Sequence, residues 1–346
     1  MAISAASLKD YVNKILLAEG VEATCARDVA EVLIDAECTG VVTHGVSRLA
    51  NYVKRLRAGL VSPDNNIRIV QESPSTLVID AGNSFGAPAT RFAMEACIER
   101  AKQSGACFAT VNHSNHFGAA AYYTKLAAKE GMIGFLCTNL TPKIAPHGAR
   151  SAYIGTNPIC LAAPTTGDPF VLDMTPSVVA LGKLITAQQL GKEIPLGWAL
   201  DADGNPTTDP AAGRAGSLVP IGGPKGSGLA MAVEILAGVL SGAGTAPQLH
   251  DLYAMDAPQG IGHFLGVIDV ARFMDPAVFA EALSRYFDEI RHLEKVEGTK
   301  EIRIPGERGF QVAKEVAQKG IEIPDAVCEE LRALGDAHAI PFPDSL

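Results

Sequence analysis

Two stretches of this chain carry side chains that could move protons or grip an acid. In residues 43–52, THGVSRLANY, His44, Arg48 and Tyr52 recur every fourth residue, a spacing that puts them on one face of a helix. An imidazole exchanges a proton near neutral pH without large tuning. A guanidinium meets a carboxylate fork to fork, so it orients an acid as well as holding it. A phenol adds a hydroxyl donor. The same pattern also fits a solvated basic face, because Lys54, Arg55 and Arg57 continue the positive run.

The second stretch is 111–123, VNHSNHFGAAAYY, which spends two of the eight histidines three residues apart, at His113 and His116. That spacing can ligate a metal on a helix. Here ACFATVNH reads as a buried strand running into a loop, with no HExxH glutamate and no third ligand nearby. A loop leaving a buried strand for a helix of small residues is where α/β proteins bring ligands to the sheet edge. Gly118 and the alanines 119–121 would let a flat ring or a phosphate approach the backbone closely. His116 then reads either as a proton-transfer or polarising group or as a plain strand-end histidine.

A third signal is IGGPKGSG, with glycines 222, 223, 226 and 228 around Lys225, just before an apolar helix. Backbone N–H groups at a helix start attract phosphate, and the lysine adds a full charge. The order is not that of a P-loop, and a tight helix-packing turn fits equally well. GIGHFLG at 260–266 has the wrong spacing for a GxGxxG fingerprint and reads as a turn at a strand. No GxSxG elbow and no reactive-cysteine neighbourhood occurs.

The elements that must position these residues follow from hydrophobic periodicity. Three amphipathic runs, LKDYVNKILLAEG closed by Gly20, residues 24–38, and a helix from near Thr43 to Gly59, predict a helical N-terminal layer. A turn at 62–66 leads to the strand-like runs IRIVQES and STLVIDAG. From 87 onward helices alternate with the strands ACFATVNH, MIGFLCTNL, AYIGTNPICLAAP and PFVLDMT, which indicates an α/β core. Helices are expected over 177–191, 228–242, 276–298 and 324–335, with a strand FLGVIDV at 264–270.

At 346 residues the chain is longer than one typical core. Its 47% hydrophobic and 19% charged content belongs to a globular protein. A net charge of −9 without basic blocks argues against nucleic acid as a partner. The N-terminus has no signal-peptide pattern, and the best membrane candidate, 229–244, is too short and carries Glu234, so no membrane partner is expected. Seven scattered cysteines without a CxxC pair read as reduced, cytoplasmic thiols.

Taken in order, THGVSRLANYVKRLRAG, SNHFGAAAYY, GTNPICLAAPT, VLDMTPSVVALGK, GWALDADGNPTTDP and GGPKGSGLAMAVEILAGVLSGA resemble the type-2 malate/L-lactate dehydrogenase family over nearly the whole chain. The resemblance implies a non-Rossmann α/β fold with a mixed sheet. A helical lobe of residues 1–60 joined by 311–346 would pack on a central domain of 61–117 and 226–310, with an NAD(P)-binding domain at 118–225. It implies a homodimer with its active site near the subunit interface. It implies hydride transfer between NAD or NADP and a small 2-hydroxy or 2-oxo acid of malate-, lactate- or sulfolactate-like kind. Proton transfer would fall to His44 or His116, with Asp173 as a charge partner. Arg48 would hold the substrate carboxylate beside Tyr52 and Thr43. Cofactor contacts would come from Ala120, Asn139, Asp173, Met174, Thr175, Lys225, Gly226, Gly306, Glu307 and Arg308. Pro176 and the APHGAR segment depart from the usual pattern and bear on cofactor preference. Reduction of cyclic or N-substituted imino acids would use nearly the same residues. A metal-dependent hydrolase built on His113 and His116, and a non-catalytic binding protein, are the readings from other classes.

Overall fold

The apolar runs that alternate with helices assemble into one seven-stranded sheet, seen in a computed structural model that describes residues 2–345. Its strands are β1 (Arg68–Glu72), β2 (Thr76–Asp80), β3 (Ala106–Ser114), β4 (Met132–Thr138), β5 (Ile159–Ala163), β6 (Phe170–Met174) and β7 (Ile261–Asp269). They lie in the order β1-β2-β3-β7-β4-β5-β6, and only β2 and β3 run parallel. The late strand β7 is thus the central one, bonded to β3 on one side and β4 on the other. Its GIGHFLG segment is strand rather than turn from Ile261 onward. A Cβ at Gly262 would come within 1.8 Å of the Ala237 carbonyl oxygen, so the glycine admits a helix packed against the strand.

Helices α1 (Ala5–Ala18), α2 (Ala23–Cys38) and α3 (Leu49–Arg57) form the N-terminal layer. Helices α4 (Gly86–Ser104) and α5 (Ala120–Lys129) pack against the sheet. Then follow α6 (Leu181–Gln189), α7 (Pro210–Ala215), α8 (Pro224–Val233), α9 (Pro276–Arg291), α10 (Glu307–Lys319) and α11 (Asp325–Asp336). The two chain ends close on each other. Ala2–Ile3 pairs with Ile321–Glu322, and the Tyr11 hydroxyl donates to the Leu331 carbonyl across 2.7 Å. Residues 118–225 give β4, β5 and β6 to the main sheet and add a separate three-stranded sheet of Ala199–Leu200, Pro206–Thr207 and Ser217–Leu218.

Three helix expectations are corrected. The helix expected from Thr43 is two 3₁₀ turns, Val42–His44 and Val46–Arg48, separated at an extended Gly45, and α3 begins only at Leu49. The helix expected over 228–242 is α8 followed by a π-helical segment, Glu234–Val239. The helix expected over 276–298 stops at Arg291. The cause at Gly45 is steric. Glu37, buried near the end of α2, aims its carboxylate at this segment and accepts from the Val46 N–H at 2.8 Å. A Cβ at Gly45 would sit 2.0 Å from that oxygen, so the backbone crosses the carboxylate where only glycine fits.

Candidate active site

Although His44, Arg48 and Tyr52 do not share a helix face, two of them meet His116. The Tyr52 hydroxyl lies 2.7 Å from His116 Nδ1, and the His44 and His116 rings stack with centroids 5.5 Å apart. Gly118 N–H also points at that Nδ1, at 3.3 Å. An amide can only donate, so Nδ1 is the acceptor, and a neutral ring carries its proton on Nε2. Gly118 is essential to this turn: its φ is +82°, and a Cβ there would press on Val32 at 2.5 Å. The His116 backbone N–H donates to Gln259 Oε1 at 2.9 Å. Thr43 Oγ1 is 3.1 Å from His44 Nδ1 and fixes that ring as well.

Burial keeps both imidazoles uncharged. It lowers His44 to about 4, with the Arg48 cation adding to the effect. It holds His116 well below its ordinary value, reinforced by His44, Arg48 and His263. Tyr52 is pushed above the ordinary phenol range by burial, which keeps its proton in place for His116. Behind the site, His263 bridges Thr138 at 2.8 Å and Ser114 at 2.7 Å and is fully buried, a core histidine with both nitrogens satisfied.

The Arg48 guanidinium stands at the mouth of this group. Its Nε donates to the Thr43 carbonyl at 2.6 Å, and Nη1 donates to the Tyr253 hydroxyl. His113 turns the other way. It adopts a left-handed φ of +48°, its ring is exposed, and Nδ1 lies 2.9 Å from Asp80. The two histidines of the NHSNH motif therefore do not converge, and no group of three or more His, Cys, Asp or Glu arranged for a metal occurs among the described residues. The expected solvated run 54–57 is corrected at Arg55, which is 1% exposed.

The residues expected at a cofactor lie mostly along one sheet edge. Asp173 and Met174 end the edge strand β6, and the turn at Pro305–Gly306, which opens α10 with Glu307 and Arg308, is tied to that strand by the Val171 N–H donating to the Pro305 carbonyl. Pro176 accepts from the Ile221 N–H at 2.8 Å, which brings Thr175 beside the turn holding Lys225 and Gly226. Lys225, exposed at the start of α8, and the helix N-terminus suit a phosphate. The start of α5, by contrast, is occupied: Asp173 Oδ2 accepts from the Ala121 N–H at 3.0 Å, beside Ala120, and caps that helix from another strand. Its carboxyl is open to solvent on one side yet closely ringed by protein. That desolvation raises its pKa, opposed by the Ala121 bond and by Lys125. Asn139 is fully buried, and its amide is spent on Glu234, the Gly244 carbonyl and the Gly262 N–H. Glu307 is occupied as well, by Arg291 and the Ile304 N–H.

Sequence reasoning missed Glu37, Tyr253, Arg55 and Gln259. Buried charged residues inside amphipathic helices give no spacing signal, and Tyr253 and Gln259 sit in a loop far along the chain. Neutral histidines, an arginine with part of its fork still open and a helix start suited to phosphate thus share one α/β scaffold.

A family model for malate/L-lactate dehydrogenase matches residues 3–332. A malate dehydrogenase of Pyrococcus horikoshii is 38% identical over 94% of this chain and 92% of its own length. A (2R)-3-sulfolactate dehydrogenase (NADP(+)) of Chromohalobacter salexigens is 37% identical over 92% of this chain and 93% of its own. The solved sulfolactate dehydrogenase of Methanocaldococcus jannaschii superposes with a TM-score of 0.93 at 34% identity, covering 98% of both chains. The chain belongs to the malate/L-lactate dehydrogenase family. It is an NAD(P)-dependent oxidoreductase of small hydroxy and oxo acids.

Proposed function

We propose that the substrate is a 2-oxo acid of malate-, lactate- or sulfolactate-like size, or its 2-hydroxy counterpart, bound over the His44–His116 stack. The single observation that carries this reading is the convergence of Tyr52, His44 and His116, with Arg48 at its edge. When bound, NAD(P) gives or takes the hydride at carbon 2. Met174, Thr175, Lys225, Gly226, Gly306 and Arg308 would hold it, with Lys225 and the start of α8 suited to its phosphates. Arg48 takes the carboxylate, which fixes the reacting carbon in place. In reduction, His116 gives its Nε2 proton to the developing alkoxide as Nδ1 takes the Tyr52 hydroxyl proton, so the ring stays neutral. In oxidation the transfers reverse, Nε2 taking the hydroxyl proton as Nδ1 returns one to Tyr52. Tyr52 holds the ring orientation in both directions by bonding Nδ1. His44, neutral and stacked on His116, keeps a second positive charge out of the site.

A homodimer in the cytoplasm belongs to the same proposal. Its support is the apolar outer face of residues 229–240, where Leu229, Met231, Ile235 and Val239 are 44–63% exposed, together with seven free cysteines. The reaction is tested by a panel of pyruvate, oxaloacetate and 3-sulfopyruvate against NADH and NADPH, with and without methylamine. Oxidation of reduced cofactor by at least one oxo acid without amine is the expected outcome. Turnover only with the amine would make the chain an imine reductase, and no turnover at all would overturn the reading.

A further inference from the structure

Arg55 is a buried arginine with an unusual set of partners. Its guanidinium reaches the backbone carbonyls of four residues of one loop: Asp251 at 3.4 Å, Leu252 at 3.5 Å, Ala257 at 2.8 Å, and Ala254. Asn51, one turn earlier on α3, donates to the Leu252 carbonyl at 2.8 Å. The helix that carries Tyr52 thus grips the loop 251–259 by its backbone. The loop returns two side chains to the site. Gln259 accepts from the His116 N–H, and Tyr253 reaches Arg48. Tyr253 is 64% exposed, and the Arg48 guanidinium carbon lies 5.6 Å from its ring centroid.

We propose that Tyr253 is a specificity-determining residue, forming with Arg48 a two-donor anchor for the substrate's carboxylate, and that Arg55 is the positioning residue that holds it there. The chemistry follows from who donates to whom. Arg48 Nη1 donates into the Tyr253 oxygen, and Nε is spent on Thr43, so the phenol's own proton stays available to a further acceptor. A carboxylate placed between them accepts from Arg48 through one oxygen and from the Tyr253 hydroxyl through the other. Both bonds are charge-assisted, the stronger kind. A neutral carbonyl compound would gain much less from either. Arg55 suits the holding role because a planar fork of five donors can satisfy several carbonyls at once, which a lysine ammonium cannot copy.

This inference rests on Arg48 as the carboxylate residue, so the test separates binding from turnover. The probe is malonate, a dicarboxylate inert to hydride transfer, titrated calorimetrically into the full chain saturated with NADH. Tyr253→Phe keeps the ring and removes only the hydroxyl. It should weaken malonate about tenfold while leaving NADH affinity within about twofold. Arg55→Lys should cause a similar loss, and the double variant should bind no worse than the weaker single one. Malonate affinity unchanged in Tyr253→Phe overturns the anchor, as does a wild-type chain that binds no malonate. If Arg55→Lys unfolds, Tyr253→Phe alone decides. Oxaloacetate turnover is measured in parallel. Turnover with an unaffected Tyr253→Phe removes the anchor and keeps the reaction. A weakened malonate site without turnover keeps the anchor and removes the reaction.

Discussion

The site is assembled from two segments held in very different ways. Residues 114–118 leave the middle of the main sheet, between β2 and β7, and are fixed by a dense set of bonds. Asn115 donates to Asn83 and Ser84, His116 N–H donates to Gln259, and the neighbouring Ser114 is bonded to His263. Residues 42–48 are two short 3₁₀ turns, and among the described residues the one buried side-chain bond that ties them to the core runs from the Val46 N–H to Glu37. The sheet-borne segment supplies the histidine of the proposed proton transfer, and the less regular segment supplies the arginine proposed to bind the acid. In that proposal, chemistry that tolerates little displacement sits on the more densely bonded element, and the group that must adapt to a substrate sits on the other.

The contrast can be broken first at His116. His116→Ala should lower kcat by about 10²–10⁴-fold with little change in NAD(P)H affinity, read from steady-state rates and cofactor titration. A loss under about tenfold would move the proton role to His44 and reverse the ranking of the two segments. The next largest effect belongs to Arg48. Arg48→Ala should raise KM for the oxo acid about a hundredfold while the cofactor binds as before, because the lost interaction is to a carboxylate and not to the dinucleotide. An unchanged KM removes Arg48 from the site.

The smallest effect sharpens the comparison through pH. Burial raises the Glu37 carboxyl to about 7, opposed only by the Val46 N–H. A carboxyl raised in the folded state holds its proton there when the unfolded chain has already lost it. Its stabilising contribution is therefore full below about 4.5 and is lost as pH rises through 7. Glu37→Gln should flatten that fall by about 1–3 kcal/mol between pH 5 and 8, measured from urea midpoints. His44 works in the opposite sense. Its folded value of about 4 means stability is lost as pH falls from 6.5 toward 4, and Glu37→Gln should leave that acid limb in place. Identical pH profiles for the wild-type chain and Glu37→Gln would show that this carboxyl does not hold the 42–48 segment.

Much of the architecture was legible because burial imposes a period. β3, β4 and β6 read as apolar runs, and α1, α2, α4 and α11 as amphipathic ones, within a few residues of their true ends. The histidine pair, the arginine and the lysine turn were legible as chemistry, since each residue type carries its own. What could not be read was direction. His113 and His116 look equivalent in the sequence, yet a left-handed backbone at His113 turns its ring outward to Asp80. His44, Arg48 and Tyr52 reach the site without a common helix, because Gly45 breaks the spacing over a buried carboxylate. Asn139 and Glu307 matched a family pattern, but both are spent on internal bonds.

The order of side-chain types along the chain therefore determined the fold class, the family and the kind of chemistry, because hydrophobic period and residue identity are local properties. Only the tertiary structure decided that Asp173 caps α5, that Gln259 and Tyr253 return to the site from a loop 143 residues beyond His116 and 205 beyond Arg48, and that Arg55 is buried. These depend on hydrogen-bond partners more than fifty residues away in sequence. A bond between such partners exists only once packing has brought donor and acceptor atoms within about 3 Å.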